Sequence, residues 1–272
     1  MNPIRTIAVT SGKGGVGKTN VAANLAVAFR RLGERVLLFD ADLGLSNVDV
    51  LLGLMTPYNI SHVLNGNKHL AEILVEGPQG IKVLPASSGI QELTQLNEFQ
   101  RLKLLEEFDA FTGEIDTLII DTGAGISSNV AFFCISAQTI LIVVSPEPTS
   151  LTDSYALIKV LHTRYQEKEF KILVNSVRDA AEGLRVFKRL AVAADKYLHV
   201  SLDYLGYLVF DEAVSKAVMA QKSFVDCFPR AEVSRNLVAV AEKLKEGIVP
   251  DIRGSLQLFI GNLIGEERNV RH

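Results

Sequence analysis

Tryptophan is absent, cysteine occurs twice and proline only eight times in 272 residues. Two thiols, Cys134 and Cys227, are too few for a disulfide scaffold or a cysteine-rich zinc module, and they suit a reducing compartment. No Pro/Gly/Ser-rich linker, internal repeat or low-complexity tract divides the chain, so one domain is the better reading, with an appendage after Pro250. An excess of one charge is missing as well. Lys and Arg number 28 against 31 Asp and Glu, a net −3, and nothing electrostatic points to direct DNA binding. The N-terminus reaches a glycine-rich loop by Gly12, which leaves no room for the apolar core of a signal peptide. The longest stretch without a charge, 122–146, has the length to span a bilayer, but Gly123, Gly125, Ser127, Ser128, Asn129, Ser136, Gln138 and Ser145 interrupt it. It reads instead as loop, helix and buried strand. The expectation is a soluble cytoplasmic protein whose 48% hydrophobic residues fill a globular core.

What is present is a rhythm. Short β-branched runs at 4–10, 35–40, 81–85, 117–121, 139–145, 170–175 and 204–209 alternate with helix-length amphipathic segments. Most runs are apolar on both faces, as strands are when helices cover a parallel sheet from both sides. The pattern predicts an α/β, doubly wound, mostly parallel sheet. Residues 47–77 are less regular and predict short helices and loops above it.

The first run enters Ser11, Gly12, Lys13, Gly14, Gly15, Val16, Gly17, Lys18 and Thr19, which matches the P-loop pattern G-x-x-x-x-G-K-[ST]. The chemistry needs those residue types. Glycines let successive backbone N–H groups turn toward phosphates, and the helix that follows adds its positive end. Lys18 is expected to neutralise β/γ oxygens and the Thr19 hydroxyl to ligate Mg²⁺ of a bound ATP. With Asn20 at the start of the helix, these make the candidate nucleotide contacts. The motif lies between a strand and the helical segment 21–31, the context that separates a P-loop from a chance glycine run.

Two acidic positions close apolar strands. Asp40 and Asp42 end the second run, and Asp121 ends the run at 117–121 before Thr122, Gly123, Ala124 and Gly125. Carboxylates at the C-terminal ends of parallel strands face the same crevice as the phosphate loop. Asp121 is the Walker B position, set to hold a magnesium-bound water. The glycines after it suit a switch loop that senses a γ-phosphate. An Asp-x-Asp at a strand end is otherwise often a turn or a helix cap.

Lys13 is an extra that the general motif does not require. The run from Lys13 to Thr19 resembles the deviant Walker A box of the MinD/ParA superfamily, and the resemblance extends over nearly the whole chain. It implies an ATPase that dimerises around two nucleotides, in which Lys13 reaches the partner's phosphates in trans. It also implies that Asp40 supports the magnesium shell and Asp42 positions the attacking water. Asn175 would read adenine, with Arg178 beside it and the loop at Asp211 closing over the base. An ordinary turn residue is the alternative for Asn175, and a helix cap the alternative for Asp211.

Residues 40–53, the stretches beginning at Asp121 and Pro146, and Asn175, Arg178, Glu182 and Gly183 look like the FlhG/FleN group of flagellar number regulators. That likeness implies negative control of flagellar number. The implied partners are the GTPase FlhF, a switch-complex protein or a flagellar transcription activator. The alternatives are a cell-division MinD or chromosome-partition ParA protein within the superfamily, or an ATP-locked anti-activator acting by binding alone. Only a few residues precede the first strand, so the partner-GTPase stimulation of members with a Gln-rich extension is not carried over. Ile252, Leu256, Phe259, Ile260, Leu263 and Ile264 fall on one helical face within 251–272. The family implies a membrane-targeting helix at 252–264 and ATP-dependent peripheral association with the inner face of the plasma membrane; packing of that helix on the body is the alternative.

Iron–sulfur relatives share this P-loop, but Cys134 and Cys227 form no C-x-x-C pair, so buried thiols are expected. Arg185, Lys188, Arg189 and Lys196 give one helix a basic side, usually a solvated face. The five histidines show no metal spacing.

Overall fold

A computed structural model of the protein describes residues 4–86, 96–111 and 115–247. In chain order its elements are β1 (Arg5–Ser11), α1 (Lys18–Arg31), β2 (Val36–Ala41), α2 (Val48–Leu52), α3 (Ile60–Leu64), α4 (Leu70–Ile73), β3 (Val75–Glu76), β4 (Lys82–Leu84), α5 (Glu98–Phe111), β5 (Thr117–Ala124), α6 (Ser128–Ile135), β6 (Thr139–Val144), α7 (Pro148–Tyr165), β7 (Glu169–Val177), α8 (Ala180–Leu198), β8 (Ser201–Val209), α9 (Glu212–Met219), α10 (Phe224–Cys227) and α11 (Glu232–Glu246). The strands form one sheet in the order β3-β4-β2-β5-β1-β6-β7-β8. All neighbours are parallel except the two-residue β3, which runs antiparallel to β4.

The doubly wound expectation follows from how each strand divides its side chains. Ile7, Val9, Val36, Leu38, Ile119, Leu141, Val143 and Leu173 pack into one core with α1 and α11. Their neighbours one residue away, Leu37, Phe39, Leu118 and Ile120, face α5 and α6. Ala8, Ile142, Val144, Ile172 and Val174 face α6, α7 and α8. Strand side chains alternate with period two, so a strand that is apolar at every position must be covered on both faces.

All seven predicted runs form strands, with no end moved by more than three residues. β3 was not expected; two residues are too short for any periodicity to register. The segment 47–77 holds α2, α3 and α4 with their connections, as its irregularity suggested, and ends in β3. The uncharged stretch 122–146 resolves into the end of β5, then α6 and β6. Among the described residues, no helix is long and apolar enough to cross a membrane. The predicted tail helix at 252–264 lies outside the described residues.

Candidate functional site

The loop between β1 and α1 folds by the conformational freedom of its glycines. Gly15 and Gly17 have φ of +80° and +88°, a region that side chains disfavour. Gly12 is required for a different reason. A Cβ there would lie 2.2 Å from the Asp153 carbonyl carbon and 2.4 Å from the Ser154 nitrogen, both backbone atoms of α7. α1 begins at Lys18, and Val21 N–H donates to the Gly17 carbonyl at 2.9 Å, so the first-turn donors face back toward the loop. No acidic residue occupies that first turn. The N-terminal positive end is therefore left for an anion from elsewhere.

The sheet brings the acids to this loop. β2 and β5 pair in register with Asp40 beside Asp121, and residues level on adjacent parallel strands project to the same face. Asp121 accepts from Lys18 Nζ at 2.6 Å with both side chains buried. Asp40 accepts from the backbone N–H of Asp42, Asn47 and Val48 at 3.1 Å each and from Ser46 Oγ at 2.8 Å. Its carboxylate thus organises the loop that carries Asp42. Burial, with the field of Asp121, pushes the Asp40 carboxyl from 3.8 up to about 7, against the hydrogen bonds from Val48, Ser46 and Asp42 that favour its charged form. Burial also raises Asp121, and Lys18 opposes that rise.

Two buried carboxylates with one buried ammonium leave the site short of positive charge. Together with the Thr19 hydroxyl, 3.4 Å from Lys18 Nζ, this is an all-oxygen donor set suited to Mg²⁺, which keeps most of its waters and needs few protein ligands. Among the described residues, no group of three His, Cys, Asp or Glu side chains could hold a metal by itself. A Mg²⁺ here would therefore arrive with the phosphates.

Asp42 is half-buried at the mouth of the crevice and accepts from Leu45 N–H at 3.3 Å. A Cβ on Gly123 would lie 3.6 Å from Asp42 Oδ1, so the glycine turn after β5 runs beside this carboxylate. Gly125, at φ +89°, donates its N–H to the Ser11 carbonyl at 2.9 Å, which ties the turn to the start of the phosphate loop.

The remaining candidates are placed differently from one another. Lys13 is ion-paired with Glu147 at the N-terminal end of α7. The Glu147 side chain is 62% exposed and Lys13 33%, so the lysine rests at the rim rather than on the loop's phosphate side. Sequence reasoning did not single out Glu147; the signal available was its place in the turn between β6 and α7, where it stands as the N-cap of the helix. Asn175 does reach the loop, and its Nδ2 donates to the Val16 carbonyl at 2.8 Å. Arg178 is paired with Glu182 of α8 at 3.0 Å and its side chain is 79% exposed, so no hydrogen bond or ion pair draws it to the loop. Asp211 caps α9, accepting from Ala213 N–H at 2.9 Å, the capping role that its sequence context also allowed. The Asn20 carbonyl accepts from Asn24 within α1. Arg185, Lys188, Arg189 and Lys196 lie on the exposed side of α8, as a solvated face would. Cys134 is buried on α6 and Cys227 exposed on α10; both are free, and neither has a cluster geometry.

A strand-to-helix phosphate loop whose lysine meets the Walker B aspartate at a doubly wound sheet defines a P-loop nucleotide-binding protein. Residues 7–224 match the family model of the CobQ/CobB/MinD/ParA nucleotide-binding domain, and the chain belongs to this family. It is 43% identical over 265 residues to the antiactivator FleN of Pseudomonas aeruginosa, a match covering 97% of this chain and 95% of that one. It is 33% identical over 263 residues to the flagellum site-determining protein YlxH of Helicobacter pylori, covering 95% and 89%. Among solved structures it is similar to MinD in the MinC:MinD cell division complex of Aquifex aeolicus, with a TM-score of 0.73, 27% identity and coverage of 92% and 98%. MinD of Pyrococcus horikoshii, solved with Mg-ADP, shares the fold at a TM-score of 0.74 and 24% identity, covering 92% and 100%. The chain is an ATPase of the MinD/ParA type.

Proposed function

We propose that the protein is an ATP-driven dimerisation switch that limits flagellar number or placement, hydrolysing ATP to ADP and phosphate. The observation that carries the reading is the convergence of Lys18, Asp121 and Asp40 on a phosphate loop whose second lysine, Lys13, stands unburied at the rim. The match to FleN and YlxH across nearly the whole chain supports the flagellar assignment.

In this reading the loop N–H groups and Lys18 bind the phosphate chain; the Thr19 hydroxyl would ligate Mg²⁺, and Asp40 and Asp121 would hold its waters. The bound Mg²⁺ would supply neutralisation of the charge that develops on the β/γ oxygens. Asp42 orients water toward the γ-phosphate and takes up its proton as the new O–P bond forms and the bond from the γ-phosphorus to the β–γ bridging oxygen breaks, that oxygen leaving on ADP. Lys13 leaves Glu147 and meets the phosphates of a second copy. Hydrolysis is therefore slow until two subunits have met. The 123–125 turn, beside Asp42 and bonded to Ser11, reports the state of the γ-phosphate to α6.

The dimer would present a surface to a protein partner: the GTPase FlhF, a switch-complex protein or a flagellar transcription activator. The name of the Pseudomonas relative, an antiactivator, favours the last. The apolar face at 252–264 supports a peripheral membrane role, presented twice by an ATP-bound dimer.

Asp42→Ala tests the mechanism. It is expected to bind ATP, to release no phosphate and to remain a dimer on size-exclusion chromatography with ATP; a fully active variant overturns the assignment. Deleting the gene is expected to raise the number of flagella per cell, and displaced septa or lost chromosomes in their place would favour the MinD or ParA reading. For 252–264, flotation of wild type and Phe259→Glu with liposomes and ATP is expected to differ, and equal flotation removes the membrane role.

A further inference from the structure

Asn175 sits on a distortion of β7. The register with β8 shifts between Val174 and Val177, and Ser176, the next residue, has φ +59°, where a serine is strained. This bulge re-aims a side chain, as bulges do at functional edges. It sends the Asn175 amide to the Val16 carbonyl at 2.8 Å. The approach is tight enough that a Cβ on Gly17 would come within 2.5 Å of Asn175 Nδ2. Gly17 is thus required twice, once for its φ of +88° and once for Asn175.

The consequence lies in the peptide unit between Val16 and Gly17. It is planar and trans, so the Val16 C=O and the Gly17 N–H point in opposite directions. A donor that holds the carbonyl from outside the loop aims the N–H into it, which is the direction from which a phosphate oxygen accepts. The loop needs such a hold, because glycines at 14, 15 and 17 leave its peptide planes soft.

We propose that Asn175 is a positioning residue for the phosphate loop: it fixes the Val16–Gly17 peptide in its anion-binding orientation and so sets affinity for the triphosphate chain. The proposal rests on the nucleotide reading of the site given above. It assigns a role to the strain at Ser176, since the fold keeps an unfavourable backbone there in order to place one amide.

The test measures binding of Mg-ATP, Mg-ITP and inorganic tripolyphosphate by calorimetry to wild type, Asn175→Ala and Asn175→Asp, with thermal unfolding confirming that each is folded. All three ligands are expected to weaken together in Asn175→Ala, by about fivefold to tenfold for one neutral hydrogen bond. The loss is expected to be larger in Asn175→Asp, where a carboxylate oxygen would face the Val16 carbonyl. Ser176→Gly, which eases the positive φ and keeps the amide, is expected to bind all three as wild type does. Unchanged tripolyphosphate binding in both Asn175 variants overturns the proposal, and a reduced ATP-to-ITP ratio with it would give Asn175 to the base. A loss in Ser176→Gly equal to that in Asn175→Ala also overturns it, because the bulge and not the amide would then set affinity. Wild type that bound none of the three ligands would instead overturn the nucleotide reading itself.

Discussion

Lys18 Nζ and Asp121 Oδ1 stand 2.6 Å apart in the heart of the site, the lysine side chain 8% exposed and the aspartate 1%. The lysine thus has a partner before any phosphate is bound, and the aspartate has one before any metal is. Removing one member of a buried pair leaves the other charge uncompensated. Lys18→Met is expected to abolish nucleotide binding and to destabilise the ligand-free fold by about 3–5 kcal/mol. The double variant Lys18→Met/Asp121→Leu is expected to recover much of that stability with no recovery of binding. Urea unfolding of the two variants beside wild type checks this, and equal destabilisation in both would show that the pair is not coupled.

The ion pair between Lys13 and Glu147 lies at the rim and is half in solvent. Pairs of this kind contribute at most about 1 kcal/mol. Glu147→Gln frees Lys13 for a partner subunit, and the ATP concentration for half-maximal dimerisation is expected to fall by up to about fivefold. Sedimentation across an ATP titration measures it. A rise would place Glu147 within the dimer contact rather than against it.

Two glycines of the same loop are expected to respond in opposite ways. At Gly12 an added Cβ meets α7 backbone at 2.2–2.4 Å, and backbone cannot rotate out of the way. Gly12→Ala is expected to lose at least about 3 kcal/mol in denaturant unfolding. At Gly14 nothing lies within 4 Å of the added atom, and Gly14→Ala is expected to stay within about 0.5 kcal/mol of wild type.

Cys227 is exposed, whereas Cys134 is buried between α6 and β1, and burial pushes its thiol from 9.0 up to about 12. One fast-reacting thiol in the native protein and a second only after unfolding is the expected result with a disulfide reagent. The folded state holds the Cys134 proton that the unfolded chain gives up above pH 9. The stability from that proton is therefore intact below pH 9 and is lost as pH rises from about 9 toward 12. Cys134→Ala is expected to show a shallower alkaline decline in thermal unfolding.

Much of the site was legible in the sequence because its chemistry is local. Gly15 and Gly17 adopt left-handed backbone within the loop itself, and Lys18 opens a helix that needs no distant residue to form. The strands at 117–121 and 35–40 were legible by their β-branched, doubly apolar runs. Other features depend on contacts between segments far apart in the chain. Asp211 fits both a base-closing loop and a helix cap by sequence, and only the bond to Ala213 N–H shows which task its carboxylate performs here. Arg178 lies three residues from Asn175 but past the end of β7, and it pairs with Glu182 in the first turn of α8 while Asn175 turns to the loop. Glu147 gave little sign of its pairing with Lys13, 134 residues away.

By itself the sequence determined that this chain lays helices over both faces of a parallel sheet and builds a phosphate loop after its first strand. Hydrophobic periodicity and glycine φ preferences act over a few residues and survive in any context. Only the tertiary structure decided which acid meets Lys18 and where Asn175 and Lys13 spend their polar groups. The reason is strand order and register: β5 is inserted between β2 and β1, which sets Asp40 beside Asp121 across 81 residues of chain, and no local pattern encodes which strands become neighbours.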